Sequence, residues 1–400
     1  AGPESTPAAA TPAAERALVH SRPNWATGAV PQIDLRPWAP DLSAFPRAAW
    51  GASIRSVLRT APDHELGNHL DLFGAPALRA SLAAYLGRSR GVATTADRIV
   101  VTCGMTQGVA AVAAALHARG VARIAIEDPG FSVHRLMLES GGLRTIPIPV
   151  DGDGLDVDAL ARSDAEAVLV TPAHQYPRGA VLAPERRTAL LAWARERDAF
   201  VLEDDYDGEY RYDREPVGAL QGLDPDRVIY LGSASKMLAP ALRIGWAAVP
   251  AGLATEVAMR RAIAGGGSWL DQLALADLIE RGELDRHLRR MRPRYRRRRE
   301  LLLAAIGELL PDARVVGVAA GLSFLLLLPD LDEAAVTAAA GERGIAVWGL
   351  GHFWARDGAD GARETGLVVG YGALPEAAAR RAIGELADVI YEAGPATPPK

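Results

Sequence analysis

The sequence predicts an α/β protein, a doubly wound, mostly parallel sheet covered by helices, followed by a smaller α+β domain. Two patterns and one boundary carry this reading. From Arg98 onward, short β-branched runs alternate with longer Ala/Leu-rich stretches of helical spacing, the rhythm of strands buried on both faces and joined by crossover helices. Near Asp285 the rhythm gives way to a long Arg-rich helix and then to more widely spaced strands. The expected division is residues 1–32 as a linker-like tail, 33–60 as a segment joining the smaller domain, 61–285 as the large domain and 286–400 as the small one.

Taken in order, AGPESTPAAATP at the start is small, Pro-rich and nearly uncharged, which reads as a tail or linker. Starting at Ala1 fits either removal of an initiator methionine or an upstream domain not included in the chain. Strands are expected at Ile99–Cys103, Arg123–Glu127, Ala167–Thr171, Phe200–Glu203, Val228–Leu231 and Ile244–Val249, with amphipathic helices at Gln107–Arg119 and Pro184–Arg197 between them. In the second domain the strand candidates are Leu322–Leu328, Ile345–Val347 and Leu367–Tyr371. The basic run Arg286–Arg299 has Leu288, Met291 and Tyr295 at helical spacing, so it reads as a solvated amphipathic helix in preference to a nucleic-acid patch.

Composition narrows the function. With 400 residues, 49% of them hydrophobic, and a net charge of −5, the chain can bury a sizeable core and has no overall charge bias toward nucleic acid or membrane. One cysteine, Cys103, rules out an internal disulfide framework, and no zinc-ligand spacing occurs. Cys103 reads as a small packed residue more than as a nucleophile. No apolar run is long enough to span a bilayer, and a cytoplasmic location is expected. Among 44 basic residues only Lys236 and Lys400 are lysine. Arginine substitutes for lysine where a solvated charge suffices, but it cannot form an imine. An internal lysine kept in so Arg-biased a chain points to chemistry.

Four local patterns each suit one part of a phosphorylated pyridine aldehyde. In Leu231-Gly232-Ser233-Ala234-Ser235-Lys236, followed by Arg243, a lysine just past a strand can form an imine while Ser233, Ser235 and Arg243 offer a phosphate site. The strand Phe200-Val201-Leu202-Glu203 runs into Asp204-Asp205-Tyr206-Asp207, where Asp204 suits a ring nitrogen and Tyr206 the ring oxygen. Metal binding and helix capping are the competing uses of that acidic cluster. At Thr102-Cys103-Gly104-Met105-Thr106, a turn into a helix presents free N–H groups of Gly104, Met105 and Thr106 to an anion. In the loops after two further strands, Phe131 can stack on the ring, and His174 with Gln175 can reach its oxygen, although a structural histidine fits as well.

These motifs resemble fold-type-I enzymes that use pyridoxal 5′-phosphate (PLP). The segments TPAHQYPRG, EDDYDGEYRY, IYLGSASKMLAPALRIGW and DQLALADLIERGELDRHLRRMRPRYRRRR resemble the aminotransferase-like domain of MocR/GabR-family regulators, from about Ile33 to the C-terminus. The resemblance implies a large domain with a mostly parallel seven-stranded sheet and a homodimer with the cofactor near the interface. It also implies Lys236 as the cofactor-bearing lysine, Asp204 at the ring nitrogen, Tyr206 at the ring oxygen, and Ser233, Ser235 and Arg243 around the phosphate. The resemblance implies a winged helix–turn–helix ahead of a linker, of which this sequence shows only the linker-like tail, so DNA binding by these residues is not expected. Where the family reads Tyr-Gly-Asp-Pro-x-Gly, this chain has His69-Leu70-Asp71-Leu72-Phe73-Gly74. Where an aminotransferase places a carboxylate-binding Arg, it has Gly366-Leu367-Val368-Val369-Gly370-Tyr371, with Arg363 nearby.

Two functions follow. The first is a PLP-dependent enzyme acting on a small amine or amino acid in specialised metabolism, an aminotransferase by default, with elimination or replacement at Cβ or Cγ open to the same residues. The second is the effector-sensing domain of a MocR/GabR-type regulator. The altered positions favour the enzyme.

Overall fold

A computed structural model describes residues 31–67, 71–212, 217–355 and 363–393. Its centre is an eight-stranded sheet. From one edge the strands are Ile99–Thr102, Gly245–Ala248, Val228–Ser233, Phe200–Asp204, Ala167–Val170, Arg123–Asp128, Arg144–Asp151 and Gly154–Leu155. The run from Val228–Ser233 to Arg144–Asp151 is parallel, while Gly245–Ala248 is antiparallel to both of its neighbours. The six strands read from the sequence are joined by Arg144–Asp151, which completes the seven implied by the resemblance, and by an eighth, two residues long, that pairs antiparallel with Arg144–Asp151 at the edge.

The inner strands are buried almost throughout because helices cover both faces. Val109, Val112 and Leu116 of Met105–Ala118 and Leu253 and Val257 of Ala251–Ile263 pack on one face. Leu160 of Val157–Arg162 and Leu190, Leu191 and Trp193 of Pro184–Glu196 pack on the other. Such a sheet delivers its strand ends, and the loops that follow them, to one common crevice.

The second sheet has four antiparallel strands in the order Arg314–Val316, Ser323–Leu327, Gly366–Gly370 and Trp348–Gly349. Helices Glu283–Leu309 and Ala379–Ala393 share its largest core. On the first of these, Leu288, Met291 and Tyr295 are buried while Arg289, Arg290, Arg296 and Arg297 face solvent, as the helical spacing implied. Arg298 turns inward and binds Asp41 at 2.6 Å. The N-terminal segment joins this half through Ile33–Asp34, which pairs in parallel with Ile345–Ala346. The expected strand Ile345–Val347 is found as Ile345–Ala346, and a further strand, Trp348–Gly349, follows it and pairs with Gly366–Gly370.

Candidate active site

A cavity of about 150 Å³ opens at the carboxyl ends of the large-sheet strands, lined by Pro37, Trp38, Met105, Thr106, Phe131, His134, Thr171, Tyr176, Asp204, Tyr206, Ser233, Ser235, Lys236 and Arg243. Nine sequence-expected residues meet there from four strand ends: Met105, Thr106, Phe131, Asp204, Tyr206, Ser233, Ser235, Lys236 and Arg243.

Lys236 stands on the single turn Ala234–Met237 that follows strand Val228–Ser233. Its Nζ donates to the carbonyl of Trp38 at 2.6 Å. Burial pushes its pKa down to about 8, against the pull of Asp207 and Asp204. An amine so placed is partly neutral near physiological pH, as a nucleophile must be.

The acidic run divides by function of position. Glu203 accepts from the Leu220 and Gln221 N–H groups at 2.9 Å each. Asp205 accepts from Arg90 at 2.6 Å and from the Tyr230 hydroxyl at 2.7 Å. Of these three consecutive carboxylates, only Asp204 lines the cavity. Its Oδ2 lies 2.8 Å from His134 Nε2, whereas Oδ1 is buried with no hydrogen-bond partner among the described residues. An unpartnered buried carboxylate oxygen is costly and calls for a donor such as a protonated ring nitrogen.

At the opposite end, Met105–Ala118 begins without a side-chain cap, which leaves its first N–H groups unsatisfied. Gly104 is not part of the cavity wall; it supports Arg243 from beneath. It adopts φ 82° and ψ 173°, and a Cβ there would meet the Arg243 guanidinium at 3.0 Å. Arg243, itself in a left-handed conformation with φ 51°, donates to the Cys103 carbonyl at 2.8 Å. Helix N-terminus, guanidinium and the two serines together suit a phosphate.

His174 and Gln175 lie behind the wall rather than in it, contrary to the expectation that they reach the ring oxygen. Gln175 Nε2 donates to the carbonyls of Pro129 and Tyr176 at 2.9 and 2.8 Å, so it ties the two loops together. The turn instead presents Tyr176 to the cavity. His174 Nδ1 lies 2.9 Å from both the Tyr206 hydroxyl and Asp207 Oδ2. Sequence reasoning also passed over His134, Thr171, Pro37 and Trp38. Only His134 left a signal, three residues beyond Phe131 and so on the same helix face.

Three features lie at the periphery. The Ser268 hydroxyl caps helix Trp269–Glu280 by accepting from Asp271 N–H at 3.2 Å. Arg363 donates to the Ala355 carbonyl at 3.0 Å and lies over the Trp354 ring at 5.6 Å. His69 and Leu70 fall outside the described residues.

Residues 44–358 match the family model for aminotransferase class I and II. The chain belongs to this family. It is 35% identical over 361 residues to the HTH-type pyridoxine biosynthesis transcriptional regulator PdxR of Corynebacterium glutamicum, covering 90% of this chain and 77% of that protein. It is 28% identical over 374 residues to aromatic-amino-acid aminotransferase 1 of Thermococcus litoralis, covering 90% and 88%. The Pyrococcus horikoshii kynurenine aminotransferase, solved with PMP, KYN as substrates and KYA as products, superposes with a TM-score of 0.82 at 24% identity over 94% of each chain, which establishes the shared fold. The matches to both regulators and aminotransferases fit a PLP-dependent, aminotransferase-like protein whose reaction subtype the family leaves open. Among the described residues, no helix is long and apolar enough to cross a membrane.

Proposed function

We propose that this chain carries PLP on Lys236 and acts on a primary amine or amino acid, with amino-group transfer as the default reaction and elimination or replacement at Cβ or Cγ as the variant. The observation that carries the reading is the meeting, in one cavity, of a partly neutral lysine, a carboxylate oxygen lacking a donor, and an anion seat. Bound PLP supplies an electron sink. Asp204 holds the ring nitrogen protonated, Phe131 flanks the ring, and Tyr206 donates to the ring oxygen. Ser233, Ser235, Arg243 and the N–H groups of Met105 and Thr106 hold the phosphate. Lys236 Nζ would take and return the proton at the substrate carbon.

The wall beside the Lys236 amine is apolar, made by Pro37, Trp38 and Tyr176, with Trp348 packed edge-on against Trp38 at 4.0 Å and Phe353 against Tyr176 at 5.2 Å. Arg178 is held by Glu364 at 2.5 Å, and Arg363 by Ala355 and Trp354. This favours substrates with an apolar or aromatic group next to the amine. We further propose a cytoplasmic homodimer in specialised metabolism. Family members are generally homodimeric, and the exposed Leu58 and Ile263, at 57% and 79%, are apolar surface available for burial.

The test is the visible absorption spectrum of the purified protein with PLP, for wild type and Lys236→Ala, before and after a panel of amines and amino acids. A Lys236-dependent band converted by an amine, with product release, supports the enzyme. The second reading, effector sensing, is favoured by the 35% identity to PdxR, and a band that shifts without turnover would select it. Absence of any Lys236-dependent band would refute both.

A further inference from the structure

Tyr206 lines the cavity, yet the oxygen of its hydroxyl is engaged from behind. His174 Nδ1 stands 2.9 Å from Tyr206 Oη and 2.9 Å from Asp207 Oδ2. The two rings stack with centroids 5.9 Å apart and planes 25° from parallel. One ring nitrogen carries at most one hydrogen. An ionised carboxylate only accepts, so with Asp207 ionised the hydrogen belongs on Nδ1. Nδ1–H is then shared between Asp207 Oδ2 and Tyr206 Oη, and both oxygens act as acceptors. The hydroxyl hydrogen of Tyr206 finds no acceptor at His174, which leaves it directed into the cavity.

The arrangement is held by backbone as well as by charge. Gly321, at φ 69°, approaches so closely that a Cβ there would lie 2.3 Å from Asp207 Oδ2 and 2.5 Å from His174 Cε1. Gly179 stands on the other side, its Cβ position 3.3 Å from His174 Nε2. The two turns are joined by Val318 N–H donating to the Gly179 carbonyl at 2.9 Å. Neither His174 nor Asp207 can swing away without moving both.

We propose that Asp207 and His174 are positioning residues that fix Tyr206 as a hydrogen-bond donor toward the cavity, where it meets the ring oxygen of the cofactor. This inference rests on the PLP reading above. It reassigns His174 from contact residue to the support of one. A donor at the ring oxygen stabilises negative charge there and lowers the pH at which the adjoining linked nitrogen gives up its proton. The charged and titratable groups facing Tyr206 are Asp207, Tyr176, Asp204 and Glu127; Asp207 and Asp204 also act on Lys236, and Arg90, Arg211 and Tyr210 border the small cavity behind His174.

The experiment has two readouts. The first is the pH midpoint of the Lys236-dependent visible band in the PLP-loaded protein. Tyr206→Phe, His174→Phe and Asp207→Asn are each expected to raise it by about one unit, the size of one hydrogen bond in pKa terms. The double variant His174→Phe/Tyr206→Phe should add nothing to Tyr206→Phe alone. The second needs no cofactor: in protein labelled with ¹⁵N-histidine, His174 should show a protonated Nδ1 in wild type, lost or shifted in Asp207→Asn, with melting curves confirming that the variant is folded. If Tyr206→Phe moves the midpoint while folded His174→Phe and Asp207→Asn leave it unchanged, the positioning role is overturned and the PLP reading stands. An Nδ1 without hydrogen in wild type overturns it as well. No Lys236-dependent band in wild type overturns both.

Discussion

Gly104→Ala isolates the anion seat from the rest of the cavity. The residue holds φ 82° and ψ 173°, a region open essentially to glycine alone, and forcing a side chain into it costs about 1–3 kcal/mol. The added methyl would also lie 3.0 to 3.1 Å from the Cζ, Nη2 and Nη1 atoms of Arg243. A guanidinium has room to give by a few tenths of an ångström, but in doing so it loses its aim at the phosphate. Weakening one charge-assisted hydrogen bond costs about 1.5–3 kcal/mol, or roughly 10- to 150-fold in the dissociation constant of PLP. The assay is an absorbance titration of cofactor-free protein with PLP, paired with denaturant melts of the same preparations. The variant should fold with somewhat reduced stability and bind PLP in that weakened range. Unchanged PLP affinity in a folded Gly104→Ala protein would refute the assignment of this turn to the phosphate.

Arg243→Ala should weaken PLP by about 2 kcal/mol while leaving pyridoxal, which lacks the phosphate, nearly unaffected; the ratio of the two titrations checks it. His134→Phe removes the neighbour of Asp204 Oδ2 and should lower PLP affinity several-fold without abolishing the Lys236-dependent band, as read in the same titration. The Lys236 pKa is depressed to about 8, so in the cofactor-free protein the folded state binds fewer protons than the unfolded state between about pH 8 and the ordinary lysine value. Its contribution is therefore a penalty fully present below pH 8 that fades as pH rises through that window. Allowing for water in the cavity, wild type should gain on the order of 2–3 kcal/mol relative to Lys236→Met across it, measured by urea melts at stepped pH.

What the sequence made legible was local, and what it hid was mostly long-range. Ile99–Thr102, Ala167–Val170 and Phe200–Asp204 are short apolar runs that must be buried on both faces, and the functional residues follow directly at their ends. Strand Arg144–Asp151 escaped because Pro147 and Pro149 interrupt its alternation; it tolerates them near the sheet edge, where its outer partner is only two residues long. Trp38 was beyond reach because it meets Lys236 across 198 residues of chain. The choice between Tyr176 and the His174/Gln175 pair depended on the direction of a turn, and the hydrogen bonds of Gln175 to Pro129 and Tyr176 set that direction. His134 becomes visible only once helix Ser132–Ser140 is known to begin just after Phe131.

The carbonyl of Trp38 belongs to a stretch that starts as Ile33–Asp34 beside Ile345–Ala346 and continues with Leu35, whose carbonyl accepts from Gly370 N–H at 2.7 Å. Whenever the lysine amine turns toward a ligand, that part-buried carbonyl loses its donor, and an acceptor shielded from solvent does not stay unsatisfied without cost. The stretch must find water or shift. The acceptor that the lysine gives up is thus joined by only a few residues of backbone to the smaller sheet.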